Sequence, residues 1–131
     1  MAFMIHTVDG GHVPGYEYLP VSAIVPKVGM AMQVNASGQL AAAAGTAKPG
    51  YICMQTRNEA ATAGELIPVI RAEHEIIFET TFSAAASSVK VGSKVTLATD
   101  GLQVTGTTTD GIAEVVEMGG NAAGDWVRVR F

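Results

Sequence analysis

Apolar residues recur at every second position in several short stretches of this chain, and polar, glycine-rich segments separate the stretches. They are Met30–Val34, Tyr51–Gln55, Leu66–Arg71, Glu75–Phe82, Lys94–Ala98, Ile112–Met118 and Trp126–Phe131. A period of two is the signature of a strand with one face buried. In the last stretch Val127, Val129 and Phe131 alternate with Trp126, Arg128 and Arg130, so the first three are expected to face the core. Ile67, Val69 and Arg71 alternate with Leu66, Pro68 and Ile70. Pro68 has no backbone donor, which predicts that its strand lies at a sheet edge or carries a bulge. Ala72-Glu73-His74 is short enough to join that strand to the next as a hairpin. Helix is scarce: Gly45 and Pro49-Gly50 cut off the Ala41–Ala44 run, and Ser83–Ser87 has room for one turn capped by Ser83.

The pattern is written twice. Lys27-Val28-Gly29 precedes the alternating Met30, Met32 and Val34 and the turn Asn35-Ala36-Ser37-Gly38; Lys90-Val91-Gly92 precedes Val95 and Leu97 and the turn Thr99-Asp100-Gly101. Gly50-Tyr51-Ile52 and Gly111-Ile112-Ala113 then open the next apolar run in each copy. Many short strands, glycine turns and little helix predict an all-β fold, a small barrel or β-clip/tulip-like domain with two related halves. A flat open sheet is disfavoured because its edges would aggregate. Residues 1–20 read differently. Gly10-Gly11, Pro14-Gly15 and Pro20 break any periodicity, so 1–20 is expected to be an extended N-terminal arm and 21–131 a single β domain. Such an arm is either ordered by a partner or a frayed terminus.

Composition changes the picture in one respect. At 131 residues the chain suits one domain with its own core. Only 15% of its residues are charged, against roughly 25% in an average domain. A surface short of charge suits burial against a partner or a copy of the chain, unless alanine-rich loops are simply tolerated. The net charge is −4 and the eight Lys and Arg residues are scattered, which argues against nucleic acid as a partner. No window approaches the ~20 apolar residues of a membrane span, and Met1–His6 lacks the basic and apolar regions of a secretory signal. The expectation is a protein made in a reducing cytoplasm, or used in something assembled there. The single cysteine, Cys53, lies in an apolar run and is expected to be a buried, inert thiol.

Candidate chemistry is thin. His6 and His12 lie in the irregular arm, and His74 stands between Glu73 and Glu75 in a connection, so neither arrangement makes a convincing metal set. No serine sits in a Gly-x-Ser-x-Gly elbow, and there is no phosphate-binding glycine loop. Glu75, Glu79, Glu114 and Glu117 read as strand-face solvation rather than as a catalytic pair. No catalytic residue, cofactor or metal is expected.

The run Val28-Gly29-Met30-Ala31-Met32-Gln33-Val34-Asn35-Ala36-Ser37-Gly38-Gln39-Leu40 resembles small capsid proteins of tailed phages. Gly50-Tyr51-Ile52-Cys53-Met54, the phrase Ala63-Gly64-Glu65-Leu66-Ile67-Pro68-Val69 and the second Val91-Gly92 repeat add to this. Over residues 20–131 the chain is similar in pattern to the head-decoration (cementing) proteins of tailed bacteriophages and related head-associated β-proteins. That resemblance implies a non-enzymatic virion structural protein, made in the host bacterial cytoplasm and located on the capsid surface. Its partners would be the major capsid protein and itself, as a homo-oligomer and typically a trimer. It also implies an N-terminal arm that orders by adding to a capsid strand. By position this role falls on residues 1–15, with His6, Thr7 and Val8 in the arm and Tyr16, Tyr18 and Leu19 as anchors. The same anchors suit packing the base of the arm on the chain's own domain. A tail or neck component would share this composition. A carbohydrate-binding β-barrel is disfavoured by an aromatic content of 6%.

Overall fold

A computed structural model describes residues 2–131. Its strands are β1 (Met4–Val8), β2 (Glu17–Pro20), β3 (Ala31–Val34), β4 (Leu40–Ala42), β5 (Tyr51–Cys53), β6 (Leu66–Arg71), β7 (Ile76–Thr81), β8 (Lys94–Val95), β9 (Ala113–Met118) and β10 (Trp126–Arg130). The described residues are all-β and form two five-stranded sheets, ordered β2-β6-β5-β3-β4 and β1-β7-β10-β9-β8. Every paired strand runs antiparallel to its neighbour.

The repeat seen in the sequence is a duplication of topology. In the first sheet β2 pairs β6, β6 pairs β5 and β5 pairs β3. In the second, β7 pairs β10, β10 pairs β9 and β9 pairs β8 in the same order. Each sheet curls until a single parallel bridge links distant parts of it, Val21 after β2 to Leu40 of β4 in one and Phe82 after β7 to Val104 in the other, where β1 lies beyond β7. One bridge is not a ladder, so neither sheet closes into the expected barrel. The turns match as well. Gly29 and Gly92 have φ of 85° and 93°, and Gly38 and Gly101 have φ of 76° and 70°. A side chain strains this left-handed conformation, so the same glycines punctuate both copies.

Following the registers pairs the interior residues of the two halves. Val21, Met32, Leu40, Cys53, Ile67 and Val69 correspond to Phe82, Val95, Val104, Val115, Val127 and Val129, and all twelve are buried. The first set lines a small core and the second a larger one. Ile52 and Ile70 pair with each other on the opposite face of the first sheet, and with Ala31 and Ala43 they belong to the larger core. The first sheet is thus apolar on both faces where it meets the second, so Ile70 is buried from the side opposite Ile67 and Val69.

Three sequence expectations are corrected. Strand β6 lies between β2 and β5, so Pro68 is not at a sheet edge. Its backbone faces β5 just beyond that strand's last residue, where the Met54 N–H donates to the Pro68 carbonyl at 2.9 Å and no proline donor is needed. The segment Ala72-Glu73-His74 carries the chain from one sheet to the other and is not a hairpin, because β6 and β7 do not pair. The run Ala41–Ala44 contributes to β4, and Ser83–Ser87 is not helical.

The expected arm is built into both sheets. Strand β1 pairs with β7, and β2 pairs with β6. Phe3 is buried in the larger core, with its ring edge-on to Phe78 at 6.5 Å and to Phe131 at 5.4 Å between centroids. Its N–H donates to the Gly29 carbonyl at 2.9 Å. The register of β1 slips between Ile5 and Thr7, and this bulge breaks the alternation that would have marked a strand. Replacing Phe3 by Ala should cost about 3–5 kcal/mol of stability, measured by denaturant unfolding. Exposed Ile5→Ser should stay within about 0.5 kcal/mol. A neutral Phe3→Ala would mean that the segment does not dock on this core.

Candidate interaction surface

The residues expected to carry binding fall on two different sheets. His6 lies at the β1 bulge and is exposed, as is Thr7, which opposes Ile77. Val8 opposes Ile76 and packs against the larger core. Tyr16 and Tyr18 stand out from the start of β2 with 59% and 61% of their surface exposed. Leu19 turns inward and packs on the smaller core. Tyr16 and Tyr18 are therefore the surface residues of the set, Leu19 and Val8 are structural, and His6 and Thr7 line an edge.

The structure adds apolar neighbours to the tyrosines. Tyr18 opposes Pro68 and Pro20 opposes Leu66, and opposing residues of an antiparallel pair share a face. Leu66 is 58% exposed. Met54 sits beside Pro68 on the next strand and, with Phe3, Met4, Ile5 and Val28, lines an apolar cleft of about 200 Å³. An apolar band therefore runs from Ile5 across Met54 and Pro68 to Tyr18 and Leu66. On the other face of this sheet, beside Val69 and Tyr51, Arg71 donates from Nε and Nη2 to the Glu17 carboxylate at 2.8 and 3.2 Å. That carboxylate, with Tyr51 nearby, holds the Arg71 guanidinium above its usual pKa. The sequence marks this band only faintly: Leu66 and Pro68 occupy the strand positions opposite in parity to core-facing Ile67 and Val69.

A second, more polar cleft of about 290 Å³ is lined by Lys48, His74, Lys94, Ile112, Glu114 and Arg130. His74 donates from Nδ1 to the Phe131 carbonyl oxygen at 2.9 Å. The Arg130 guanidinium lies 3.7 Å from the Asp9 carboxylate. Glu114 opposes both Lys94 and Arg130, so the positive charge of this cleft is opposed from within. Among the described residues no group of three or more His, Cys, Asp or Glu side chains could hold a metal ion, and no helix is long and apolar enough to cross a membrane. Of the four strand-face glutamates, Glu79 and Glu117 both bind Arg128, which also lies 4.5 Å from the centre of the Trp126 ring.

Cys53 is fully buried and donates from Sγ to the Gln55 carbonyl at 3.2 Å. Burial pushes its pKa up, against smaller opposing effects of backbone hydrogen bonds and Arg57. The thiol should therefore resist alkylation at mildly alkaline pH in the native protein and react on denaturation; rapid native labelling would contradict the packing. The sign for stability follows. A raised folded-state pKa makes its contribution fully present below the ordinary thiol value and lost as pH rises through the raised one.

Compared with models of protein families the sequence matches none, and a search of curated proteins finds no match either.

Proposed function

We propose that this chain is a virion structural protein, a decoration or cementing protein that binds the outside of a phage capsid as a homo-oligomer, with the major capsid protein and other copies of itself as partners. The observation that carries this reading is the exposed apolar band beside the start of β2, on a chain whose charged fraction is only 15%. An apolar surface of this kind marks an interaction site. Tyrosine is favoured at such sites because it contributes much contact area with few rotatable bonds. The resemblance of the repeats to head-decoration proteins supplies the particular partner. Many copies on one shell would make modest individual contacts sufficient.

The docking of β1 in its own sheet changes how the capsid would be met. Phe3 holds the first residues in the core, so contact falls on the outer surface of β1 and β2 rather than on a free arm. The test is co-sedimentation of the purified protein with expanded capsids, read by electron cryomicroscopy. Saturable binding at three-fold positions, weakened roughly tenfold or more by Tyr18→Asp, is expected. Absence of binding, with free rings or tubes instead, would move the protein to the tail or neck.

A further inference from the structure

The duplication makes it possible to ask what one half has that the other lacks. On β7, the backbone groups of Ile77 and Glu79 face β1, whereas Thr81 and Ser83 meet Val104: the Val104 N–H donates to the Thr81 carbonyl, and the Ser83 N–H to the Val104 carbonyl. The register places Tyr16, Tyr18, Pro20 and Ser22 at the equivalent positions. Ser22 behaves like Ser83, donating from N–H to the Leu40 carbonyl at 2.9 Å. The Val21 N–H points the other way, to Glu65 on the β6 side. Alternation then directs the backbone N–H and C=O groups of Tyr18 and Tyr16 away from β6. This is the edge that β1 covers in the other half. Among the described residues no strand pairs with it.

The chain has a second open edge of the same kind. Strand β1 is the end of its sheet, and its outer side is open next to Ile5, two residues on from the Phe3 N–H that points outward to Gly29. Met4 and Ile5 are 47% and 36% exposed there, and the apolar cleft formed with Phe3, Val28 and Met54 lies alongside. At the far ends, Leu40 of β4 makes one bridge to Val21, and Val104, bridged to Leu97 beyond β8, makes one to Phe82. Among the described residues each copy thus carries one open edge with exposed tyrosines and another bordered by an apolar cleft.

We propose that these two edges are the halves of one contact: the edge of β2 at Tyr16–Leu19 receives the outer edge of β1 from a second copy of the chain, and its tyrosines cover that copy's Met4, Ile5 and cleft. This contact is head-to-tail, so repeating it closes a ring when the rotation permits. Backbone pairing supplies the register, and the apolar side chains supply the burial. The β1 bulge and Pro20 bound the ladder on its two sides, which keeps the pairing short and specific. The proposal deepens the oligomer part of the function proposed above and rests on that part, but it does not depend on the capsid.

The test is analytical ultracentrifugation of the full chain without capsids, with circular dichroism melting to confirm folding. Tyr18→Pro removes an outward backbone donor without touching the β6 ladder, and Tyr18→Thr keeps that donor while removing the ring. Ile5→Asp burdens the opposite edge. The wild type should form a closed oligomer. Tyr18→Pro and Ile5→Asp should each weaken it roughly tenfold or more while remaining folded, and Tyr18→Thr should fall between. Mixing the Tyr18→Pro and Ile5→Asp chains should restore one contact and yield a heterodimer. A folded variant set whose oligomer is unchanged overturns this contact and leaves the assembly role standing. Loss of the oligomer without heterodimer formation on mixing also overturns it. A wild type that stays monomeric overturns the oligomer as well, while capsid binding is scored independently by co-sedimentation.

Discussion

An unpaired strand edge in water is the constraint around which this chain is built. Each half has only short strands, and a short open sheet exposes two rows of backbone donors and acceptors for little buried area. Curling each sheet until Val21 meets Leu40 and Phe82 meets Val104 links β2 to β4 in the first and the end of β7 to Val104 in the second, by one bridge apiece. The curl also makes an inside, and that inside is where the paired core residues of the two halves lie. Glycines with positive φ at the same places in both repeats supply the tight turns that the curl needs.

The halves are duplicated in topology but not in content. The second core takes Phe3, Phe78, Phe82 and Phe131, whereas the first is filled by methionine, leucine, isoleucine and valine. The aromatic core is completed by a strand from outside the repeat, β1, which the first half has no counterpart for. The first half is instead supported from behind, where Ile52, Ile70, Ala31 and Ala43 rest on the larger core. The same asymmetry leaves Tyr16 and Tyr18 uncovered, so the exposed surface is a consequence of how the duplication was completed. Polar groups inside the larger half are satisfied locally: the Thr80 hydroxyl donates to the Leu102 carbonyl, and the Thr96 and Thr105 hydroxyls bond to one another.

The apolar band of Tyr18, Pro68 and Leu66 lies on one face of the first sheet, and Glu17 and Arg71 project from the other. The charged side chains on the side of the smaller core are tied in pairs, Arg71 with Glu17 and Arg57 with Glu65, and exposed pairs of this kind add little stability.

The sequence by itself determined the all-β class, the two-fold repeat, the bounds of β6 and the inward set Val127, Val129 and Phe131. These follow from local rules, because period-two alternation and glycine turns act within a few residues. It singled out Tyr16, Tyr18 and Leu19 together as anchors but did not separate the exposed tyrosines from Leu19, which packs on the smaller core. Only the tertiary structure decided that β1 belongs to the second sheet, that β6 is central and that the Ala72–His74 segment crosses between sheets. Those depend on partners far apart in the chain: Phe3 is ordered by Phe78 and Phe131, and Pro68 is tolerated because the strand beside it ends at Cys53. The vacant edge of β2 was likewise illegible, since a missing strand leaves no mark on the residues that would receive it.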